Sequence, residues 1–472
     1  MKLKILIILL LPLITGVVSC KKFLQEQSPS EVVPKTTRAL NELLAGEAYK
    51  FWGTTSWLLD DNIWIRDLKN FIHPSMGAFT WQPSTSPMGN DLGNSFTWFD
   101  WYNVIQACNT VIDQLEKVSG TQEEKDFVFG QALLLRAYNY FNLVNFYALP
   151  YTDSLTDPNI NPGVPLLLKG GVSLERVPRN TVAEVYQQIE KDILKGTELL
   201  LGANKTDDIM RINHLAGYLL ASRVYLHMGK WQQCIDAANK MLSNKSTLMT
   251  LSSWGPADPL NKPIVANRNI ESIWEFSAVS KFSFIIDYDD LFISPDLMSC
   301  FEPGDLRATI YTNGIRCRKT GFYDGPVTDV PGMAFRVSEA YLNRAEAYAH
   351  QFKEGQTNGL AASLSDLNLL RKNRFTIADY RDLQTSDADQ LMDWCRLEKR
   401  REFFHEESHR WFDLRRAGMP SIVHEYDKTG GHPERFKLQK RDPGYLLEIP
   451  QSAILLNNKL VQNPLPAERL PE

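Results

Sequence analysis

The chain has 472 residues, with 56 acidic side chains against 51 basic ones and a formal charge of −5. That balance excludes the strongly basic surface with which nucleic-acid binders meet phosphates. At this length and 43% hydrophobic residues, the chain can bury a large core, as one big domain or two intimate ones.

The first twenty residues read MKLKILIILLLPLITGVVSC. Lys2 and Lys4 precede an apolar run interrupted by Pro12, too short to span a bilayer and flanked like an export signal. Val17-Val18-Ser19-Cys20 resembles a bacterial lipobox. Cleavage there removes residues 1–19 and frees the Cys20 amine and thiol for acylation, and several acyl chains at ~0.8 kcal/mol per buried methylene make a stable anchor. Lys21 and Lys22 come next, where acidic residues often accompany surface display. No later stretch reaches the roughly 18 apolar residues of a membrane helix.

Much of the chain beyond Cys20 has helical periodicity. Residues 99–118 carry Tyr102, Ile105, Cys108, Ile112 and Leu115 at spacings of three and four, and residues 127–147 repeat the pattern through Leu134, Tyr138 and Phe141. Thr181 and Glu184 form a capping box that opens a helix over 182–201. Residues 214–242 read as two helices joined at Gly229-Lys230, with small Ala221, Ala237 and Ala238 for close packing. This pair resembles a tetratricopeptide unit. Residues 335–352 and 361–374 form a similar pair, and 391–416 reads as a last long helix. The hairpins keep no strict period. Irregular stretches rich in Trp, Pro, Gly and Asn lie between them, and long loops inside a compact protein usually carry function. Short strands are expected at 272–276 and 445–449. Cys108, Cys234 and Cys395 read as buried thiols; a Cys300–Cys317 bridge is a candidate outside the cytoplasm.

The last helix contains His405-Glu406-Glu407-Ser408-His409, which satisfies the H-E-x-x-H pattern. On one helix face the two imidazoles would bind zinc and Glu406 would polarise a water. Residues 410–416 supply no third ligand at the extended spacing, and Gly418, Pro420 and Gly430-Gly431 disfavour a helix that would bring one. An apolar stripe of Leu391, Trp394, Leu397, Phe404 and Trp411, laced with ion pairs, explains more of the segment. No metal or cofactor is expected.

The same segment, LEKRREFFHEESHRWFDLRRAG, resembles the C-terminal signature of the SusD/RagB family. Glu398, Arg400, Glu407, Arg410, Trp411, Asp413, Leu414 and Arg416 match in kind, with Ser408 where glycine is usual. ALLLRAYNYFNLVNFYALPY, RNTVAEVYQQIEKDI, Gly304-Asp305-Leu306-Arg307, FRVSEAYLNRAEAYA and LEIPQSAILLNNKLVQNP resemble other family blocks in order. The resemblance implies a mainly α fold, with tetratricopeptide-like hairpins as scaffold, long irregular loops and a few short strands. It places residues 20–472 in one SusD-like domain whose ligand face is drawn from about 51–98 and 243–330. It implies a non-enzymatic outer-membrane lipoprotein, lipid-anchored through Cys20, that captures oligosaccharides for a SusC-like TonB-dependent β-barrel transporter. Peptide capture, as in RagB, is the alternative within the family; a hydrolase built on His405-Glu406-His409 and a structural helical-repeat adaptor are alternatives outside it.

A sugar presents an apolar face of C–H groups and an edge of hydroxyls, so capture needs aromatic plates and polar partners. The segment FWGTTSWLLDDNIWIRDLKNFIHPSMGAFTWQP has both. Trp57, Trp64 and Trp81 are the candidate plates, with Asp61 and Arg66 as polar partners; Tyr288, Tyr311 and Tyr323 are candidates in a second loop. Trp98, Trp101, Trp231, Trp274, Trp394 and Trp411 read as scaffold.

Overall fold

The computed structural model of the protein describes residues 34–50, 56–67, 76–83, 92–171, 175–203, 208–255, 264–265, 269–278, 291–314, 316–319, 331–428 and 431–472. Ten helices among them carry the scaffold: α1 (Thr37–Leu43), α2 (Leu92–Gln114), α3 (Gln122–Tyr147), α4 (Val182–Ala203), α5 (His214–His227), α6 (Trp231–Leu242), α7 (Val337–Lys353), α8 (Asn358–Lys372), α9 (Ala388–Phe403) and α10 (His409–Arg416). Shorter helical turns lie between them. None of the described helices is long and apolar enough to cross a membrane.

The helices pack in sequence order. α3 lies between α2 and α4, α4 packs on α5, α5 pairs with α6, and α7 contacts α6, α8 and α9. α3 starts at a capping box: Thr121 Oγ1 accepts from the Glu124 amide at 3.2 Å, and the Glu124 carboxylate accepts from the Thr121 amide at 2.9 Å. The expected Thr181–Glu184 box opens α4 in the same way, at 3.2 and 2.8 Å. From Val128 to Tyr147 nearly every side chain of α3 is buried. Its long polar ones are served: Asn139, Asn142 and Asn145 donate to the carbonyls four residues back, and Arg136 forks onto Asp192 at 2.8 Å. Where α3 crosses α4, Gly130 and Gly196 face each other, and a Cβ at either would stand about 3.0 Å from the other's carbonyl oxygen. At the α5–α6 turn Gly229 has φ +69°, a conformation that side chains resist. The core these helices enclose runs from Leu40 to Leu460.

Six strands among the described residues form two sheets: β1 (Ile63–Asp67), β2 (Ser272–Ala278), β3 (Leu291–Ile293), β4 (Pro331–Arg336), β5 (Ile422–Lys428) and β6 (Glu434–Leu438). The larger sheet has the order β3-β1-β5-β6, with β1 antiparallel to β3 and parallel to β5; β2 pairs with β4. The sheets tie the irregular segments to the helices.

Several expectations change. The helix expected over 391–416 is broken: α9 ends at Phe403, Phe404 turns extended, and His405 and Glu407 take φ +57° and +44° before α10 begins. The break lets Phe404 bury completely against Tyr311 and Phe301. Residues 445–449 form no strand, because Tyr445 closes a 3-10 turn and the Leu447 amide bonds the Phe146 carbonyl of α3 instead. Cys300 and Cys317 are both free thiols. Cys317 lies in a smaller core cluster with Ile310 and Phe404, while Cys300 sits at the end of a helical turn beside Arg400. The three expected buried thiols are buried; burial pushes Cys108 and Cys395 up to about 12.

Candidate ligand-binding face

The break between α9 and α10 is anchored by charge. Arg307, Lys319, Arg336, Arg371, Arg374 and Arg401 interleave with Glu271, Glu302, Asp305, Glu398, Glu402 and Glu406, six cations with six carboxylates, and all but Glu302 are buried. Arg374 reaches Glu271 at 2.7 Å and Glu402 at 2.9 Å; Arg336 joins Glu402 at 2.9 Å and Glu406 at 2.8 Å; Arg307 joins Asp305 and Glu398 at 2.8 Å. Burial alone would raise these carboxyls, but Arg307, Arg401 and Arg371 hold Glu398 down to about 2. Glu406, the residue that would polarise a metal-bound water, is locked to Arg336 and Lys319. His409 stacks on Phe403 and His405 on Trp57, so the imidazoles of the H-E-x-x-H pattern serve different contacts. The broken helix removes the shared face the pattern needs, and no group of three potential metal ligands occurs among the described residues.

Residues 56–67 pack against this break. Ser56 Oγ donates to the Glu407 carbonyl at 3.1 Å and meets Ser408 Oγ at 2.9 Å. Trp57 is half-buried, with its ring 5.5 Å from that of His405 and inclined by 24°. Burial pushes His405 down to about 3, so Trp57 rests on a neutral imidazole. Arg410 then forks onto Asp61 at 2.7 and 2.6 Å, and Arg400 donates to Asn62 Oδ1 at 2.8 Å. Asp60 points inward; burial, then the adjacent Asp61, push it up to about 8.

β1 continues from there. Strand alternation buries Ile63 and Ile65 and turns Trp64 and Arg66 to the other face. Trp64 pairs across the ladder with Phe292 of β3, ring centroids 5.7 Å apart at 49°. The Arg316 guanidinium lies 5.2 Å from the Phe292 ring centre. Arg66 stands opposite Asp427 of β5, Nε to Oδ2 3.6 Å. Phe292 is itself buried and backs Trp64, so the half-buried Trp64 ring is the aromatic surface here, edged by guanidinium and carboxylate groups, which suits a ligand with one apolar face and a polar rim.

Trp57, Trp64, Asp61 and Arg66 thus share residues 56–67, but Asp61 spends both oxygens on Arg410 and serves to hold the segment. Two expected contacts are corrected. Trp81 is 2% exposed. Its indole N–H donates to the Leu59 carbonyl at 3.0 Å and its ring stacks 4.0 Å from His424, so it has the polar partner that allows indole burial. Tyr311 is fully buried, its hydroxyl 3.3 Å from Glu402, and belongs to the charge lattice. Tyr288 and Tyr323 lie outside the described residues. Sequence reasoning misses Phe292, Arg316 and Asp427. Phe292 lies in a three-residue strand too short to show a period, and Arg66–Asp427 is a contact between residues 361 positions apart, which only the sheet register reveals.

A polar cavity of about 20 Å³ lined by Arg223, Glu339, Glu407 and His409 has room for about one water.

A family model described as "Starch-binding associating with outer membrane" matches residues 22–226, and the model of the "SusD family" matches residues 321–465. No curated protein matches the sequence. Among solved structures, a SusD superfamily protein from Bacteroides thetaiotaomicron is 22% identical, with a TM-score of 0.72 over 91% of this chain and 100% of its own. A SusD-like carbohydrate binding protein from Bacteroides vulgatus is 20% identical, with a TM-score of 0.70 over 90% of this chain and 98% of its own. A SusD superfamily protein from Bacteroides fragilis is 23% identical, with a TM-score of 0.71 over 91% and 100%. These likenesses carry the fold: a helical, tetratricopeptide-like scaffold with few strands. With both family models matched in chain order, the chain belongs to the SusD/RagB family.

Proposed function

We propose that the protein is a non-catalytic saccharide-binding lipoprotein of the outer membrane. It captures glycans on the face formed by residues 56–67 and the outer side of the larger sheet, and passes them to a SusC-like TonB-dependent barrel. On this reading residues 1–19 are removed on export, Cys20 carries the lipid, and residues 20–472 work as one unit. Cys20 lies outside the described residues. The observation that carries the reading is the half-buried Trp64 ring, backed by the buried Phe292, with Arg66 and Asp427 beside it. The carbohydrate-binding relative from Bacteroides vulgatus and the starch-binding description of the N-terminal family model support it.

The test is a glycan array followed by calorimetry on the lipid-free chain, with a peptide pool in parallel. A pyranose stacked on Trp64 predicts that Trp64→Ala weakens glycan binding by about tenfold, the equivalent of ~1.4 kcal/mol. Unchanged glycan affinity in that variant, or binding of peptides alone, refutes the reading.

A further inference from the structure

Trp64 sits where the larger sheet holds its strand least. The ladder of β1 with β5 covers residues 65–67, and its ladder with β3 covers 63–65. At Trp64 the partner is therefore β3, an edge strand of three residues whose pairing is marginal by itself. Ahead of the ladder, side chains take over. Arg410 of α10 forks onto Asp61, Nε and Nη2 donating to the two carboxylate oxygens at 2.7 and 2.6 Å. Arg400 of α9 donates to the Asp61 carbonyl at 3.0 Å and to Asn62 Oδ1 at 2.8 Å. Ser294 adds its hydroxyl to the Asp61 carbonyl at 2.8 Å and its amide to the Asn62 carbonyl at 2.9 Å. The Arg410 fork is the shortest of these, and its two side chains are only 16% and 15% exposed. Burial raises the Asp61 carboxyl, but Arg410 and then Arg400 more than reverse this and keep it ionised.

We propose that Arg410 is a positioning residue for saccharide capture: through Asp61 it holds the start of β1, so that Trp64 already stands in its binding place when a glycan arrives. The inference rests on the saccharide-binding reading above and adds to it a residue that acts through Asp61 rather than on the sugar. A fork between two planar groups fixes orientation as well as distance, and Asp61 lies three positions before Trp64. Without the fork, residues 61–64 would be ordered at the moment of binding, and that ordering is subtracted from the affinity. The break between α9 and α10 gains a use on this reading. Had the helix run on, residues 400 and 410 would stand about 15 Å apart along its axis. The break turns the chain so that both arginines reach Asp61.

The test compares Arg410→Gln with Arg344→Gln on the lipid-free chain. Arg344 makes a fork of the same kind, onto Asp366 at 2.8 and 2.7 Å, but joins α7 to α8. Amide exchange over residues 60–67, read by mass spectrometry, is expected to quicken at least about tenfold in Arg410→Gln and to keep the parent rate in Arg344→Gln. Affinity gels are cast with soluble starch, xylan, galactomannan or polygalacturonate. The polymer that retards the parent is expected to bind Arg410→Gln about tenfold more weakly, Arg410→Lys less weakly than that, and Arg344→Gln as tightly as the parent. Asp61→Asn is expected to lose as much as Arg410→Gln, and the double variant no more than either. Unchanged exchange over residues 60–67 in Arg410→Gln overturns the proposal. So does equal retardation of the parent and Arg410→Gln, or an equal loss in Arg344→Gln, which would mark a general loss of stability. A parent that none of the polymers retards overturns the saccharide reading, and with it the role given to Arg410.

Discussion

Arg374 and Glu402 meet with neither side chain exposed: Nη2 lies 2.9 Å from Oε1 and Nε 3.0 Å from Oε2. The same carboxylate also serves Arg336 and Arg307. Removing its charge takes one carboxylate from each of three buried guanidinium groups, which keep Glu271, Glu406, Asp305 and Glu398, and breaking one partner out of a buried pair costs about 3–5 kcal/mol. Glu402→Gln is therefore expected to lower the urea midpoint sharply, without loss of helix content in the fraction that remains folded. A stability within about 0.5 kcal/mol of the parent, on the order of an ordinary surface change, would contradict the lattice.

The lattice also sets the response to acid. Glu398 is held down to about 2 from its ordinary 4.5 once Arg307, Arg401 and Arg371 outweigh burial, and Glu402 is held well below its usual range. A depressed folded value stabilises fully above the unfolded value and loses that contribution as pH falls through the folded one. Thermal midpoints are expected to hold above about pH 5 and to fall steeply between about 4.5 and 2, measured by circular dichroism.

Asp60 runs the other way. Burial, then Asp61, raise it from 3.8 to about 8. Its contribution is complete below 3.8 and is lost as pH rises toward 8. Asp60→Asn keeps an oxygen to accept from the Asn62 amide, 2.9 Å away, and removes the titration. The variant is expected to melt higher than the parent at about pH 8, with the difference vanishing near pH 4. A constant difference across that range would contradict the assignment.

Trp64 and Trp81 should separate cleanly. Trp81→Ala empties a fully packed position and is expected to cost about 3–5 kcal/mol of stability. Trp64→Ala, at a half-buried position on the sheet's outer face, is expected to cost well under half of that while abolishing most glycan affinity. Differential scanning calorimetry and titration on both variants check the pair.

The H-E-x-x-H pattern predicts nothing about metal once the helix breaks within it. Chelation with EDTA is expected to leave the melting midpoint unchanged, and Glu406→Gln to destabilise the fold by about 3 kcal/mol through the carboxylate lost to buried Lys319 and Arg336. Stoichiometric zinc lost in His405→Ala would reverse this reading.

The helical hairpins are legible in the sequence because their information is local. The Thr181–Glu184 box, the Gly229 turn and the three- and four-residue apolar spacing each lie within a few residues. The break at 404–408 is not legible, since FFHEESH holds no Gly or Pro to end a helix. It comes from Phe404 finding a buried site among Tyr311 and Phe301, a tertiary gain. Trp81 and Tyr311 mislead for a related reason: burial of an amphipathic ring depends on whether a distant carbonyl or carboxylate meets its polar atom. The strands of the larger sheet are hidden because they are short, and because β1 takes both its neighbours from segments hundreds of positions away.

The two family-model matches, residues 22–226 and 321–465, invite a cut between them, but buried ion pairs cross it. Glu271 of the intervening segment neutralises Arg336 and Arg374 of the C-terminal part, while Arg223 of the N-terminal part neutralises Glu339 and Glu407. Either fragment alone would have to keep naked ions in an oily interior. A chain released before its last third is therefore expected to leave Arg223 without Glu339 and Glu407, and its earlier helices short of their full stability.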